Sequence, residues 1–417
     1  MERRWLLIVH TVRRCFSALA VKKDFAADDV NRVVVALFTV SLFLPFGFGV
    51  ASVSLIAFYT MVRCRVREKA FGQPFARVIF GFLAAAFFVA AIYNNYKGMA
   101  YALLFYAVVT CGLYFRSVMT HSLFYLAMDT ACAASVWCAA AAFFQKAAHF
   151  AASPNYRPVS FFTNANYYGM MIEFVILIAV YRIFTNPKYA ALYACVIAAN
   201  LGGLYLTASC SAFAATICSV AVFLAYKRGK RAALLFGVAV GALMALCIAF
   251  PVLLPRSSLA LETTLAQRIS IWQAAWRAFR RSPFFGRGAS AYEMVWEQYG
   301  GYKTYHCHNL WLDLLLNYGI VGTTAVCCYV AFQLRALVLR IRFGICRNMD
   351  FLAAAAFIAV LVHGLTDVTI MWVQTAGLFI LMTSSMGIGS VFAEEELHMP
   401  HLLPNEADAS GRAALAK

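Results

Sequence analysis

Long apolar runs broken by short polar connections set the pattern of this chain. Twelve of them read as candidate membrane spans, at approximately 33–46, 48–62, 78–93, 99–114, 122–144, 166–181, 189–206, 209–226, 232–254, 319–339, 351–366 and 373–392. Several fall short of the roughly 20 residues that a helix needs to cross a bilayer, so their ends are expected to continue as helix into the headgroup region. The first two share an uncharged stretch, residues 33–62, interrupted by Pro45-Phe-Gly-Phe-Gly49. They read either as two short spans or as one long kinked one. The pattern changes once, between Arg256 and Asn317, where a polar stretch hangs between greasy segments.

The expected fold is therefore all-α, a polytopic membrane helix bundle of about twelve transmembrane helices with one large loop between spans 9 and 10. Residues 1–31 form an amphipathic N-terminus, 32–254 hold spans 1–9, 255–318 the loop, 319–392 spans 10–12, and 393–417 a disordered tail. In the N-terminus, Trp5, Ile8, Val9, Val12, Phe16 and Leu19 recur at helical spacing, with His10, Arg13, Arg14 and Ser17 opposite. That is the pattern of a helix lying on a membrane surface. The apolar run from Trp5 to Val9 is too short for a signal peptide.

Composition agrees: 63% of the 417 residues are hydrophobic and 13% charged, with mean hydropathy +0.73, against about 25% charged in soluble domains. The net charge of +17 is mainly a topology signal. With an inside N-terminus and twelve crossings, 25 of the 35 Lys and Arg fall on the cytoplasmic side, anchored by Arg63-Cys-Arg-Val-Arg67 and Lys227-Arg-Gly-Lys-Arg231. The tail then lies inside and the long loop outside. Basic residues spread over several loops do not make a nucleic-acid surface, so no nucleic acid is expected as a partner. Of the thirteen cysteines, most sit inside apolar runs and read as small hydrophobes. Only Cys210 and Cys307 fall near the outer face, where a bond between them is conceivable.

The loop carries the candidate chemistry. Thr264-Leu-Ala-Gln267 has capping-box spacing and predicts a helix start. Leu265, Ile269, Trp272, Trp276 and Phe279 make one apolar stripe, and Ser282-Pro283 stops the helix. A helix beginning at His308 is expected to end at Asn317-Tyr318-Gly319. His306 and His308 lie two residues apart, with no carboxylate nearby in sequence to complete a metal shell. Asp129, Glu173 and Asp367 lie in or near spans, where a carboxylate is a functional candidate; Glu173 either faces a cavity or pairs with a basic neighbour, and Asp367 reads as functional or as a solvated cap.

Several of these segments together resemble the O-antigen ligase and polymerase family: Arg268-x-x-x-Trp272, Ser282-Pro-Phe-Phe-Gly286-x-Gly288, His308-Asn309-x-x-Leu312 and Gly319-Ile-Val-Gly322. Phe161-Phe-Thr-Asn164-Ala-Asn166-Tyr, Leu206-Thr-Ala-Ser209 and His363-Gly-Leu-Thr-Asp367 are similar to that family's shorter motifs. Each is weak alone; their order and spacing are specific, and the resemblance covers roughly residues 30–392. It implies a bacterial cytoplasmic-membrane glycosyltransferase that moves a glycan from undecaprenyl diphosphate to an acceptor hydroxyl on a glycan or glycolipid. The reaction inverts, uses no metal and needs no cofactor; a polymerase of the same family is the alternative.

The resemblance also suggests His308 as the base and Arg268 as the clamp on the diphosphate. Such chemistry suits a group that titrates near neutrality and a guanidinium facing growing phosphate charge. Asn309, Trp272, Asp367, Asn164 and Asn166 are then expected at the substrate, although the two asparagines also read as helix caps. One position departs from the family, which usually carries arginine where this chain has Cys210. A thiol cannot clamp a diphosphate, so Arg256, Arg287 or Lys303 takes that part, or the substrate differs, or activity is reduced. A reading from another class is a lipid or glycolipid transporter without chemistry.

Overall fold

In the computed structural model, residues 27–153, 155–250 and 258–389 are described. The expected surface helix at the N-terminus, Arg256 and the acidic tail lie outside them. Helices account for nearly all regular structure, and no strand occurs among the described residues. In chain order they are α1 Ala27–Ser41, α2 Phe46–Val62, α3 Cys64–Phe71, α4 Ala76–Ile92, α5 Tyr96–Val118, α6 His121–His149, α7 Ala165–Thr185, α8 Ala190–Thr207, α9 Cys210–Arg228, α10 Lys230–Ala249, α11 Ser258–Phe279, α12 Ala291–Val295, α13 Leu310–Phe343, α14 Arg347–Gly364 and α15 Val373–Thr383.

Eight of these are long and apolar enough to cross a membrane, or nine if α2 and α3, bent by 103° at Arg63, count as one. α4 is apolar but shorter, and α1 and α15 have only 15 and 11 residues. The uncharged stretch 33–62 is two helices, parted at Pro45, whose missing N–H cannot continue a helix. α3 carries the basic Arg65-Val-Arg67 and turns away from α2, as a charged segment must where the hydrocarbon ends.

α7 is the axis of the bundle. It is almost wholly buried and packs against α6, α8, α9, α14 and α15. At the opposite extreme, α10 buries none of its apolar window. Large side chains such as Leu55, Phe58, Leu103, Trp137, Leu234 and Leu235 point outward, which in lipid carries no hydrophobic penalty. Embedded charges are paired. Arg182 grips Asp129 with both Nε (2.7 Å) and a terminal nitrogen (2.8 Å), and Tyr193 donates to the same carboxylate, so this cluster ties α6, α7 and α8 together. Glu173 pairs with His363 at 2.9 Å between α7 and α14, both fully buried. Of the three carboxylates singled out by sequence, only Asp367 pairs with a residue that lines a cavity, His308.

Candidate active site

The loop between α10 and α13 folds as a unit around α11. That helix begins at Ser258 rather than Thr264, whose hydroxyl instead bonds back to the Ala260 carbonyl. Its buried face also differs from the expected stripe. Ile271, Ala274, Ala275, Ala278 and Phe279 are buried, whereas Leu265, Ile269 and Trp276 are exposed. The alanines admit Tyr292 and the α12 turn to close range, and the bulky residues are left facing outward, where interfacial side chains are favourable.

The loop is locked to the bundle by a backbone clasp made of two of the motifs. Ile320 and Val321 donate to the carbonyls of Pro283 and Phe284 at 2.7 and 3.0 Å. In return, Gly288 and Arg287 donate to the Asn317 carbonyl at 2.8 and 3.2 Å. The crossing requires glycine at its centre: Gly319 has φ 64 and ψ −171, and a Cβ on it would overlap the Phe284 carbonyl. The same glycine divides α13, so the helix expected to end at Gly319 and the span expected to start there are two segments joined at a kink.

Residues just before α13 fix His308. The Cys307 amide donates to Asp313 (3.0 Å), and the Trp272 indole donates to the His308 carbonyl (3.3 Å). Asn309 caps α13 by accepting from the Leu312 amide, and its own amide donates to the Leu365 carbonyl at 2.9 Å. His308 is held at φ 47, in the left-handed region that non-glycine residues seldom occupy. Backbone strain of this kind collects where a side chain must be aimed.

The target of that aim is Asp367, in the connection after α14 and 1% exposed. Its Oδ1 lies 3.1 Å from His308 Nδ1 and accepts from the Val368 amide; its Oδ2 accepts from Asn166 at 2.5 Å. Arg268 stands 3.9 Å away and His306 3.8 Å. Asp367 is thus a buried hub, not a solvated cap. Burial pushes its carboxyl up, but the hydrogen bond and charge of His308, with His306 and His363, outweigh that and hold it well below the usual carboxylate range. A carboxylate on Nδ1 puts the His308 proton there and leaves Nε2 as the acceptor. Nε2 has Thr304 at 3.3 Å, and both residues line a cavity of about 430 Å³.

Arg268, Asn164 and Asn166 line this cavity too. A second cavity, of about 440 Å³, opens beside His306 and His308 and includes Lys97, Glu293 and Tyr305. His308 therefore stands between two chambers. Asn164 is also the cap of α7, its Oδ1 accepting from the Asn166 amide.

Other expected residues are not brought here. Arg287 stacks its guanidinium over Tyr93 at 5.4 Å and lines neither chamber; Lys303 is exposed and lines neither. The backbone of Arg287 is fixed by the clasp, whereas Lys303 lies between Tyr302 and Thr304, which do line the cavity. Cys210 does line it, while Cys307 is buried beside Asp313, and both thiols are free. The two histidines do acquire a carboxylate partner, contrary to expectation: His306, His308 and Asp367 bring ligand atoms within 4.8 Å of one another. Asp367 already accepts from His308, Asn166 and a backbone amide with a guanidinium alongside, an environment unfavourable to a further cation.

Sequence reading missed Arg157, which lines the same cavity and donates to the Thr207 carbonyl and to Asn166 Oδ1, each at 2.6 Å. The signal was there: it is the one Lys, Arg, Asp or Glu between Lys146 and Glu173. Thr304 and Ser211 were missed as well, being short polar residues with no spacing to mark them, and Gln267 was read only as part of a helix start.

His306 carries a pH dependence. Burial lowers it to about 4; Asp367 opposes that, and His308 and Arg268 add to it. The unfolded imidazole takes its proton near pH 6.5. Between these values the unfolded chain binds more protons, so stability rises with pH and is lost as pH falls from about 6.5 towards 4. The expected loss between pH 7 and pH 5 is on the order of 2 kcal/mol. Comparing thermal unfolding of wild type and His306→Gln in detergent at the two pH values measures it; equal shifts in both proteins would refute this origin.

An all-helical polytopic membrane protein, with a polar loop clasped over a buried Asp–His pair, is the class these features define. Residues 193–327 match the family model described as O-antigen ligase, and that match supports the family assignment drawn from the motifs. The matched stretch holds Cys210, Arg268 and His308, whereas Arg157, Asn166 and Asp367 lie outside it. No curated protein matches the chain.

Proposed function

We propose that this protein transfers a glycan from undecaprenyl diphosphate to an acceptor hydroxyl on the outer side of the bacterial cytoplasmic membrane, by a single inverting displacement without a metal. The observation that carries the reading is the Asp367–His308 pair, with Nε2 turned to a cavity that also receives Arg268.

In this reading His308 Nε2 takes the proton from the acceptor hydroxyl as its oxygen attacks the anomeric carbon. The bond to the diphosphate breaks on the opposite face. Undecaprenyl diphosphate leaves with the bonding electrons, and Arg268 stabilises the growing charge. The proton stays on the imidazole, where Asp367 offsets its charge. Donor and acceptor occupy the two chambers on either side of His308, so the acceptor enters from the side of Lys97 and Tyr305. Trp272 and Asn309 act by holding the His308 backbone and helix, and Asn164 and Asn166 by framing the donor chamber.

The test uses purified full-length protein with a lipid-linked oligosaccharide and an acceptor glycolipid. New covalent product, formed equally in EDTA, is the expected result. Product that disappears on chelation and returns with a divalent ion would overturn the metal-free mechanism. Movement of the lipid across vesicles with no product would favour the transporter.

A further inference from the structure

A third cavity, of about 470 Å³, lies among α4, α5, α13, α14 and α15. Its walls are apolar, with Phe82, Val109, Val326 and Ile380 among them, and no carboxylate lines it among the described residues. One end meets the chamber beside His306, since Phe105, Tyr318 and Met371 line both. Arg116 and Gln333 stand at the other end. Helix α5 starts at the loop, where Asn95 donates to the Arg287 and Ala289 carbonyls, so its last turn lies at the opposite end of the bundle.

Arg116, in that last turn, departs from the pairing seen for other embedded charges. It is partly buried, and its Nη1 donates to Gln333 Oε1 at 2.9 Å. Among the described residues no carboxylate comes within ion-pair distance of it; the neighbouring Arg340 has taken Asp350, at 3.1 Å. A guanidinium left in a low-dielectric place without a counter-charge is costly, and an anion from outside the chain relieves that cost. The surrounding surface is basic as well. α3 packs on α5 here and exposes Arg65, Arg67 and Lys69 against one carboxylate, Glu68, and Arg77 stands in the first turn of α4. Basic pockets between helices at a membrane face suit anionic lipid headgroups.

The length of the cavity defines the rest of the ligand. Arg116 and Phe105 are 11 residues apart on α5, about 16 Å along the helix. That is half of a hydrocarbon core about 30 Å thick, the depth of one leaflet. A fatty acyl chain anchored at Arg116 spans it. An isoprenoid entering from the His306 end would have to finish its apolar tail against a guanidinium.

We infer that this cavity binds an anionic phospholipid from the leaflet opposite the loop, with its phosphate on Arg116 and one acyl chain lying between α4, α5 and α13 as far as Phe105. The lipid is held, not transformed. Its chain end supports the wall that this cavity shares with the chamber beside His306.

The experiment uses the full-length protein in detergent and two lipids with identical chains, phosphatidylglycerol and uncharged diacylglycerol. Native mass spectrometry reads the affinity of the first lipid retained. Phosphatidylglycerol is expected to bind about tenfold more tightly, the gain of a charge-assisted contact. Arg116→Gln should bring it down to the diacylglycerol level and leave diacylglycerol unchanged, and Arg116→Lys should keep most of the preference. A photoreactive group at the chain end of phosphatidylglycerol should label α5 or α13 at the Phe105 end, and excess phosphatidylglycerol, but not undecaprenol, should suppress the label. Equal binding of the two lipids by wild type, a preference that survives Arg116→Gln, or labelling confined to residues outside the cavity overturns the site. Equal loss of both lipids in Arg116→Gln marks a structural role for the arginine and also overturns it. Suppression by undecaprenol gives the cavity to an isoprenoid chain, with the same consequence.

Discussion

Replacing His308 by alanine is expected to lower glycan transfer by a factor on the order of 10²–10⁴, the usual contribution of a positioned general base. Insertion and monodispersity in detergent should be unchanged, because the hydrogen bonds that fix this stretch run through its neighbours. Cys307 is held by Asp313, Asn309 by Leu365 and Leu312, and Trp272 reaches only the His308 carbonyl. The side chain itself contacts Asp367 and Thr304, so its loss empties a polar pocket without cutting the clasp. Asp367→Asn should cost a similar factor. An amide cannot offset the imidazolium that forms, and it can turn its own donor towards Nδ1 and reverse the tautomer. Because the two side chains act as a unit, the double substitution should be little worse than either single one. The assay is initial rate of product formation with equal amounts of inserted protein. Wild-type rates in His308→Ala would end the assignment of this histidine as the base.

How much of that site could be read in advance differs residue by residue. His308 and Arg268 were visible because both sit in motifs whose order along the chain is distinctive. Their partner Asp367 was visible as a membrane-edge carboxylate, but not as a hub. That role depends on Asn166 from α7 and His308 from the loop meeting it, 201 and 59 residues away in sequence. The helical spans followed from hydropathy because lipid leaves the backbone few alternatives. The face of α11 did not. A helix at a membrane surface has two apolar environments to choose between: Leu265, Ile269 and Trp276 took the outer one, while Ala274, Ala275 and Ala278 went to the protein with Ile271 and Phe279. Arg287 and Lys303 show the limit of counting cations in a loop: composition put both near the diphosphate, and neither lines a chamber. Arg157 was overlooked for the opposite reason, belonging to a different connection whose approach to α9 only tertiary packing reveals.

Gly319→Ala is the second large effect, and it acts on the fold rather than the chemistry. At φ 64 and ψ −171 the backbone lies in a region that is open in practice to glycine alone, which costs any other residue about 1–3 kcal/mol. The added methyl would also overlap the Phe284 carbonyl and press on the Phe285 amide, backbone atoms that no rotamer change can move aside. Forcing them apart adds about 1–3 kcal/mol by analogy with overpacked cores. Relief would come from lengthening the bonds that Ile320 and Val321 make to Pro283 and Phe284, the bonds that dock the loop over the donor chamber. The expected outcome is a protein that still inserts, but whose loop is cut more readily by protease and whose transfer falls with the loss of docking. Gly300→Ala supplies the comparison, since it has the same positive φ of 64 with nothing within 4 Å of a Cβ. It should show the dihedral cost without the collision, about 1–2 kcal/mol, and little change in protease sensitivity. If both variants behaved alike, the interlocking of the two glycine motifs would not be what holds the loop against the bundle.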